Sequence, residues 1–107
     1  MKKALSFGVG MILASSLLSA AQKGGDAAKG KEVFEQCSVC HNADSDEKKM
    51  GPGLKGLFKK AKMSNGKKPT EENVRAFVNA GGNGMPAYES ILSDAEKNNL
   101  IAYLKTL

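Results

Sequence analysis

The chain predicts an all-α domain with no sheet. Apolar residues recur at three- and four-residue spacing in three segments, and each segment opens on a side chain able to cap a helix. No stretch alternates apolar and polar residues as a half-buried strand would. The first segment opens at Asp26, whose carboxylate can accept from the free N–H groups of a first turn, and runs through Ala27 to about Val39. Gly30, Val33 and Phe34 share one of its faces, and the missing side chain at Gly30 lets another helix cross closely. Residues 42–65 read as loop, with one helical turn at 56–60. The apolar residues at 54–58 are broken by Lys55 and Gly56 and make no strand. A further helix opens at Thr70, carries Glu71 and Glu72 in its positive first turn, puts Val74, Phe77 and Val78 on one face, and stops at Gly81-Gly82. The last is marked by Ser93-Asp94-Ala95-Glu96, a capping box, followed by the apolar face of Leu100, Ile101, Tyr103 and Leu104.

Cys37-Ser38-Val39-Cys40-His41 is the most informative stretch. Two thiols separated by two residues can reach the two vinyl groups of one porphyrin edge, each adding across a vinyl to form a thioether. The histidine that follows is carried under the ring, where an imidazole nitrogen can bind iron. The C-x-x-C-H pattern is the signature of c-type haem attachment. Other chemistries fit less well. A thiol–disulfide redox pair needs a βαβ context, which is missing here. Zinc wants four protein ligands, and the chain has two cysteines and one histidine. A structural disulfide would suit an oxidising compartment, but it accounts for none of the segments that follow.

The N-terminus has the form of a secretory signal peptide: a basic start at Lys2-Lys3, an apolar run over 4–18, and the small residues Ser19-Ala20-Ala21 before Gln22. The run is short for a spanning helix and serines interrupt it. An uncleaved anchor is the alternative. Cleavage after Ala21 leaves residues 22–107 as one small domain in the periplasm, with no stable membrane insertion. Export agrees with haem attachment, which in bacteria takes place outside the cytoplasm. A domain this short is marginal on apolar burial alone, so a porphyrin would supply missing core and the apoprotein should fold poorly. Residues 22–25 read as a mobile polar lead-in.

With His41 as one axial ligand, the iron needs a sixth. Met85 has the best setting: it follows the flexible run Gly81-Gly82-Asn83-Gly84 and precedes Pro86. Glycines let backbone pass close to a ring, and the proline stiffens the loop behind the ligand. Met50 is too near His41 in sequence to cross easily to the opposite face, and Met63 lies in a lysine-rich segment with less to fix it. Met63 or an open position is the alternative.

Taken together, these residues resemble the class I monohaem cytochromes c, including small bacterial carriers. The resemblance covers nearly all of 22–107. It rests on Gly30-Lys31-Glu32-Val33-Phe34, the haem motif, the stretch from Gly51-Pro52-Gly53 to Leu57-Phe58, Gly84-Met85-Pro86-Ala87-Tyr88, and Leu100-Ile101-Ala102-Tyr103-Leu104-Lys105. It implies a fold of three to five helices wrapped around one haem c, attached through Cys37 and Cys40, with iron held by His41 and Met85. It further implies that Gly30 and Phe34 cross the last helix at Leu100 and Tyr103. The Pro52 carbonyl would accept from the second nitrogen of His41, raising ligand basicity, and Tyr88 would be a wall beside the haem. Phe34 stands three residues before Cys37, where mitochondrial relatives have four, so the helix must join the motif differently. Their long interior loop is also missing.

Coordination by His41 and Met85 leaves no open position, so the reading is a single-electron carrier and not an enzyme. The thioether ligand favours ferrous iron and raises the potential. Partners would be redox proteins: a membrane oxidoreductase as donor, a terminal oxidase or reductase as acceptor, with the chain itself a monomer. A haem peroxidase or small-ligand sensor with a labile methionine is the alternative. Charge is uneven, with eight lysines and no acid from Lys48 to Thr70 and no lysine or arginine from Ala76 to Glu96. The basic stretch is either a solvated face or a surface that steers an acidic redox partner. Nucleic acid is not expected as a partner, since export removes the target and aromatics do not interleave the basic run.

Overall fold

The computed structural model describes residues 25–107. The expected signal peptide and its cleavage point after Ala21 lie outside the described residues. Three α-helices form: α1 (Ala27–Phe34), α2 (Glu71–Ala80) and α3 (Asp94–Leu104). A 3-10 turn, Leu57–Lys59, stands between α1 and α2 where a single helical turn was expected. Among the described residues there is no strand, only two isolated bridges, His41 with Lys48 and Gly82 with Met85. The all-α expectation therefore holds. None of the described helices is long and apolar enough to cross a membrane.

Each helix begins at its expected cap. Asp26 Oδ1 accepts from the Ala28 and Lys29 amides at 2.9 and 3.3 Å. Thr70 Oγ1 accepts from the Asn73 amide at 3.1 Å. Ser93 and Glu96 exchange side-chain-to-amide bonds at 3.1 and 2.9 Å, a complete capping box.

One expectation about the first segment is corrected. Helix α1 stops at Phe34 and does not continue to about Val39. The Ser38 hydroxyl donates to the Glu35 carbonyl at 2.6 Å and the Gln36 amide to the Val33 carbonyl at 3.2 Å. Such local side-chain bonds give the backbone an alternative to the helix ladder. The chain then tightens. The Cys37 and Ser38 amides share the Phe34 carbonyl at 2.7 and 2.9 Å, and the Cys40 and His41 amides share the Cys37 carbonyl at 3.1 and 3.0 Å. This is how Phe34 and Cys37 are joined over only three residues. Of the lead-in expected to be mobile, residues 22–24 lie outside the described residues; just after it, the Asp26 amide donates to Asn99 Oδ1 at 2.8 Å.

Helices α1 and α3 cross at Gly30. A Cβ placed there would lie 1.9 Å from the Asn99 carbonyl oxygen and 2.8 Å from Tyr103 Cβ. Phe34 and Tyr103 meet next to the crossing, ring centroids 5.3 Å apart and tilted by 55°. The neighbours of Gly30 are thus Asn99 and Tyr103, whereas Leu100, the most buried residue of the core, faces the interior cavity. Helix α2 adds Val74 and Val78 to that core, and α3 adds Ile101 and Leu104. At the other end of α2, Lys105 pairs with Glu71, whose carboxyl is held below its ordinary range by that hydrogen bond and charge.

The crossing sets a testable ranking. Gly30→Ala forces backbone against backbone and should cost about 3 kcal/mol, read as a lower denaturant midpoint of the holoprotein. Ser93→Ala removes only a cap and should cost about 1 kcal/mol. Equal midpoints for the two variants would contradict the crossing geometry.

Candidate haem-attachment site

The segment that leaves α1 is held from its far side by a strap of backbone. The Gly51 amide donates to the Cys40 carbonyl at 2.8 Å and the Leu54 amide to the Asn42 carbonyl at 2.8 Å. Lys49 closes the strap on itself through its amide, 3.0 Å from the Gly51 carbonyl, and reaches the motif through Nζ, 3.1 Å from the Ser38 carbonyl. Cys40 and His41 are therefore fixed between a helix end and this strap.

His41 Nδ1 lies 2.7 Å from the Pro52 carbonyl. A carbonyl only accepts, so Nδ1 carries the proton and Nε2 is left as a neutral lone pair, the form in which imidazole binds a metal. The ring packs on Gly51: a Cβ there would stand 2.6 Å from His41 Cε1. Gly51 is a functional residue that the sequence reading missed, although Gly51-Pro52-Gly53 was in view. Its role is space, and space gives no pattern along a sequence.

Met85 is presented by a turn that is formed in advance. The Gly82 and Met85 amides and carbonyls exchange bonds, both at 3.0 Å. The two central residues sit at positive φ, Asn83 at 52° and Gly84 at 91°, as a primed hairpin turn requires. The flexible run expected here is thus a rigid corner, and the Asn83-Gly84 dipeptide was the signal for it. Past Pro86, the Tyr88 amide donates to the Val78 carbonyl at 3.0 Å and anchors the loop to α2.

These pieces enclose a cavity of about 570 Å³, lined by all six expected site residues: Cys37, Cys40, His41, Pro52, Met85 and Tyr88. Its size is that of a cofactor pocket. Phe34, Leu57, Val74, Leu100 and Leu104 supply apolar walls. Both cysteines are free thiols. Burial, with a smaller contribution from Cys40, pushes the Cys37 thiol up, and burial followed by charge on the two cysteines does the same to the Tyr88 phenol. Both groups are neutral at ordinary pH. Two thiols, one free imidazole nitrogen, a thioether and apolar walls around one cavity are the donor set and surface that a covalently attached haem needs. Among the described residues no group of three or more His, Cys, Asp and Glu could hold a bare metal ion.

The other methionines separate clearly. Met50 is 80% exposed, with its sulfur 3.9 Å from Cys40 Sγ, on the cysteine side of the rim. Met63 was expected to be poorly fixed. Instead its amide donates to the Lys67 carbonyl at 2.7 Å, its carbonyl accepts from the Gly66 amide at 2.9 Å, and its side chain lines the same cavity.

Residues 27–107 match the family model for cytochrome c. The chain is 36% identical to a cytochrome c2 of Blastochloris viridis, with 94% of this chain and 91% of that one covered. It is 31% identical to a cytochrome c6 of Picosynechococcus, covering 97% and 92% respectively. The solved cytochrome c6 of the diatom Phaeodactylum tricornutum superposes with a TM-score of 0.60 at 29% identity, covering 77% of this chain and 93% of that one. The chain belongs to the cytochrome c family, as a class I monohaem cytochrome: an electron-carrying haem protein whose cofactor is covalently bound haem c with its iron.

Proposed function

We propose that this chain is a periplasmic single-electron carrier in which Cys37 and Cys40 hold the haem by thioethers while His41 Nε2 and the Met85 sulfur bind its iron. The observation that carries the reading is the 2.7 Å contact of His41 Nδ1 with the Pro52 carbonyl, which leaves Nε2 as the free nitrogen at a cavity that Met85 also lines. The haem supplies the one-electron couple. The protein's part is to keep both ligands in place, so that little rearranges between oxidation states, and to exclude water with Phe34, Leu57, Leu100 and Leu104. Pro52 raises the basicity of His41 through the shared proton, and the neutral Tyr88 phenol keeps charge away from the wall. With His41 and Met85 both binding the iron, no position would be left open for a substrate. The role that follows is transfer between docked partners and not catalysis, with a membrane oxidoreductase as donor and a terminal oxidase or reductase as acceptor.

Purified from a host competent in cytochrome maturation, the protein should give a pyridine haemochrome spectrum with both vinyls saturated. A Cys37→Ser, Cys40→Ser double variant should retain no haem on a denaturing gel and lose most of its helical circular dichroism. Covalent haem in that variant would refute attachment at these positions.

Met85→Ala should lose the weak long-wavelength band of ferric iron bound to sulfur, and its reduction potential should fall, because the thioether favours ferrous iron. An unchanged band would transfer the ligand role to Met63.

The basic surface is divided by the contacts its lysines make. Lys60 is committed to Asp46 at 3.1 Å and to the Gly53 carbonyl at 3.2 Å, whereas Lys48 and Lys62 are exposed and line the cavity mouth. Lys48→Glu combined with Lys62→Glu should slow electron transfer to an acidic partner about tenfold at low salt. The difference should vanish in high salt as screening takes over. Equal rates at low salt would leave these lysines as a solvated face.

A further inference from the structure

Among the described residues one charged residue is buried: Lys97, at 6% exposure. A lysine on a surface helix normally extends its ammonium to water, and a charge held inside must find compensation. Among the described residues no carboxylate pairs with Lys97. Its Nζ instead donates to the Glu89 carbonyl at 3.0 Å.

That carbonyl has a particular place in the fold. Glu89 opens the turn that returns the Met85 loop to α3. The Ile91 and Leu92 amides close the turn on the Tyr88 carbonyl at 3.2 and 3.1 Å. Upstream, the Tyr88 amide is bound to Val78 of α2, and Met85 lies three residues before it, with Pro86 between. Helix α3 is locked to α1 at Gly30, and α1 runs directly into the cysteine motif. The Lys97 ammonium thus makes a side-chain hydrogen bond between the α1–α3 pair, which leads into the cysteine motif, and the loop carrying Met85.

We propose that Lys97 is a positioning residue that holds the Met85 loop against α3 and so sets how firmly the Met85 sulfur stays in the sixth position. This rests on Met85 as the axial ligand. A hydrogen bond from a charged donor contributes more than a neutral one, and its loss leaves the Glu89 carbonyl without its partner. The strain of that loss falls on the loop, since α3 keeps its cap, its apolar face and its crossing with α1. Loop opening is a local event, and it can become more frequent without the whole domain unfolding.

The test is competition for the sixth position by imidazole, titrated into the ferric holoprotein and followed by loss of the sulfur-to-iron band. Lys97→Met keeps the stem and deletes the donor, and it should bind imidazole about tenfold more tightly or better. Lys97→Arg keeps a charged donor and should stay close to wild type. Arg75→Met is the control, because Arg75 bonds Asn98 and links α2 to α3 without touching the loop. It should leave imidazole affinity unchanged even if the domain loses stability. Wild-type affinity in Lys97→Met, or an equal rise in Arg75→Met, would overturn the proposal and reduce Lys97 to a packing role. Should Lys97→Met fail to accumulate as holoprotein, Lys97→Gln reads the same quantity with a shortened donor. It should then lie between Lys97→Arg and the loss seen in Met85→Ala, and wild-type affinity there would equally overturn the proposal. Absence of the band from the wild type overturns the ligand assignment itself, whereas a normal band with unchanged variants overturns only the role of Lys97.

Discussion

The 2.7 Å contact between His41 Nδ1 and the Pro52 carbonyl fixes the tautomer, the ring orientation and the basicity of the histidine together. It can do so because the strap that carries Pro52 is itself bonded to the motif. The Gly51 amide holds the Cys40 carbonyl and the Leu54 amide holds the Asn42 carbonyl, so the acceptor and the ring belong to one rigid unit. Gly51 then determines how close that unit can come: with a side chain there, ring and strap could not share the space. The cysteines need less support of this kind, since a covalent bond holds its own geometry. A metal–nitrogen bond, as proposed for His41, would have to be aimed.

Much of the fold was legible because its signals are local. Asp26, Thr70 and Ser93 cap the three helices they were expected to cap, and each of these bonds spans three residues or fewer. The covalent haem was legible for the same reason, since the cysteine–histidine spacing is itself the chemistry. Other features could not be read along the chain. The early end of α1 depends on Ser38 and Gln36 turning back on their own backbone, a contest between two local bonding patterns that composition does not decide. Gly51 acts by leaving room, and Lys97 acts across a tertiary contact, so neither follows from its neighbours in sequence. The Asn83-Gly84 turn is a different case. Its signal was present and was read as flexibility, although a residue pair suited to positive φ makes a corner stiff.

Size explains why so much of the structure serves one cavity. In a domain of this length the residues that form the core are also those that line the site: Phe34, Leu57, Val74, Leu100 and Leu104 do both. Helices α1 and α3 meet backbone to backbone at Gly30 on one side, and on the other their apolar residues line the cavity with Leu57 and Val74. A haem bound there would complete the core, and folding and cofactor binding would then share one free-energy balance.

The two sides of the cavity are built to different standards. On the His41 side, backbone bonds run continuously from Phe34 through the motif to Leu54. On the Met85 side, the loop is held at separated points: the Gly82–Met85 turn, the Tyr88 amide on Val78, and Lys97 on Glu89. The second arrangement is the weaker, because each point can release without the others. On the proposed ligation, the Met85 sulfur would sit at the low-stability end of the structure, where local opening precedes global unfolding. The same loop lies in the stretch from Ala76 to Glu96 that contains no lysine or arginine, so along the sequence it is separate from the basic residues Lys48 and Lys62 that would steer an acidic partner.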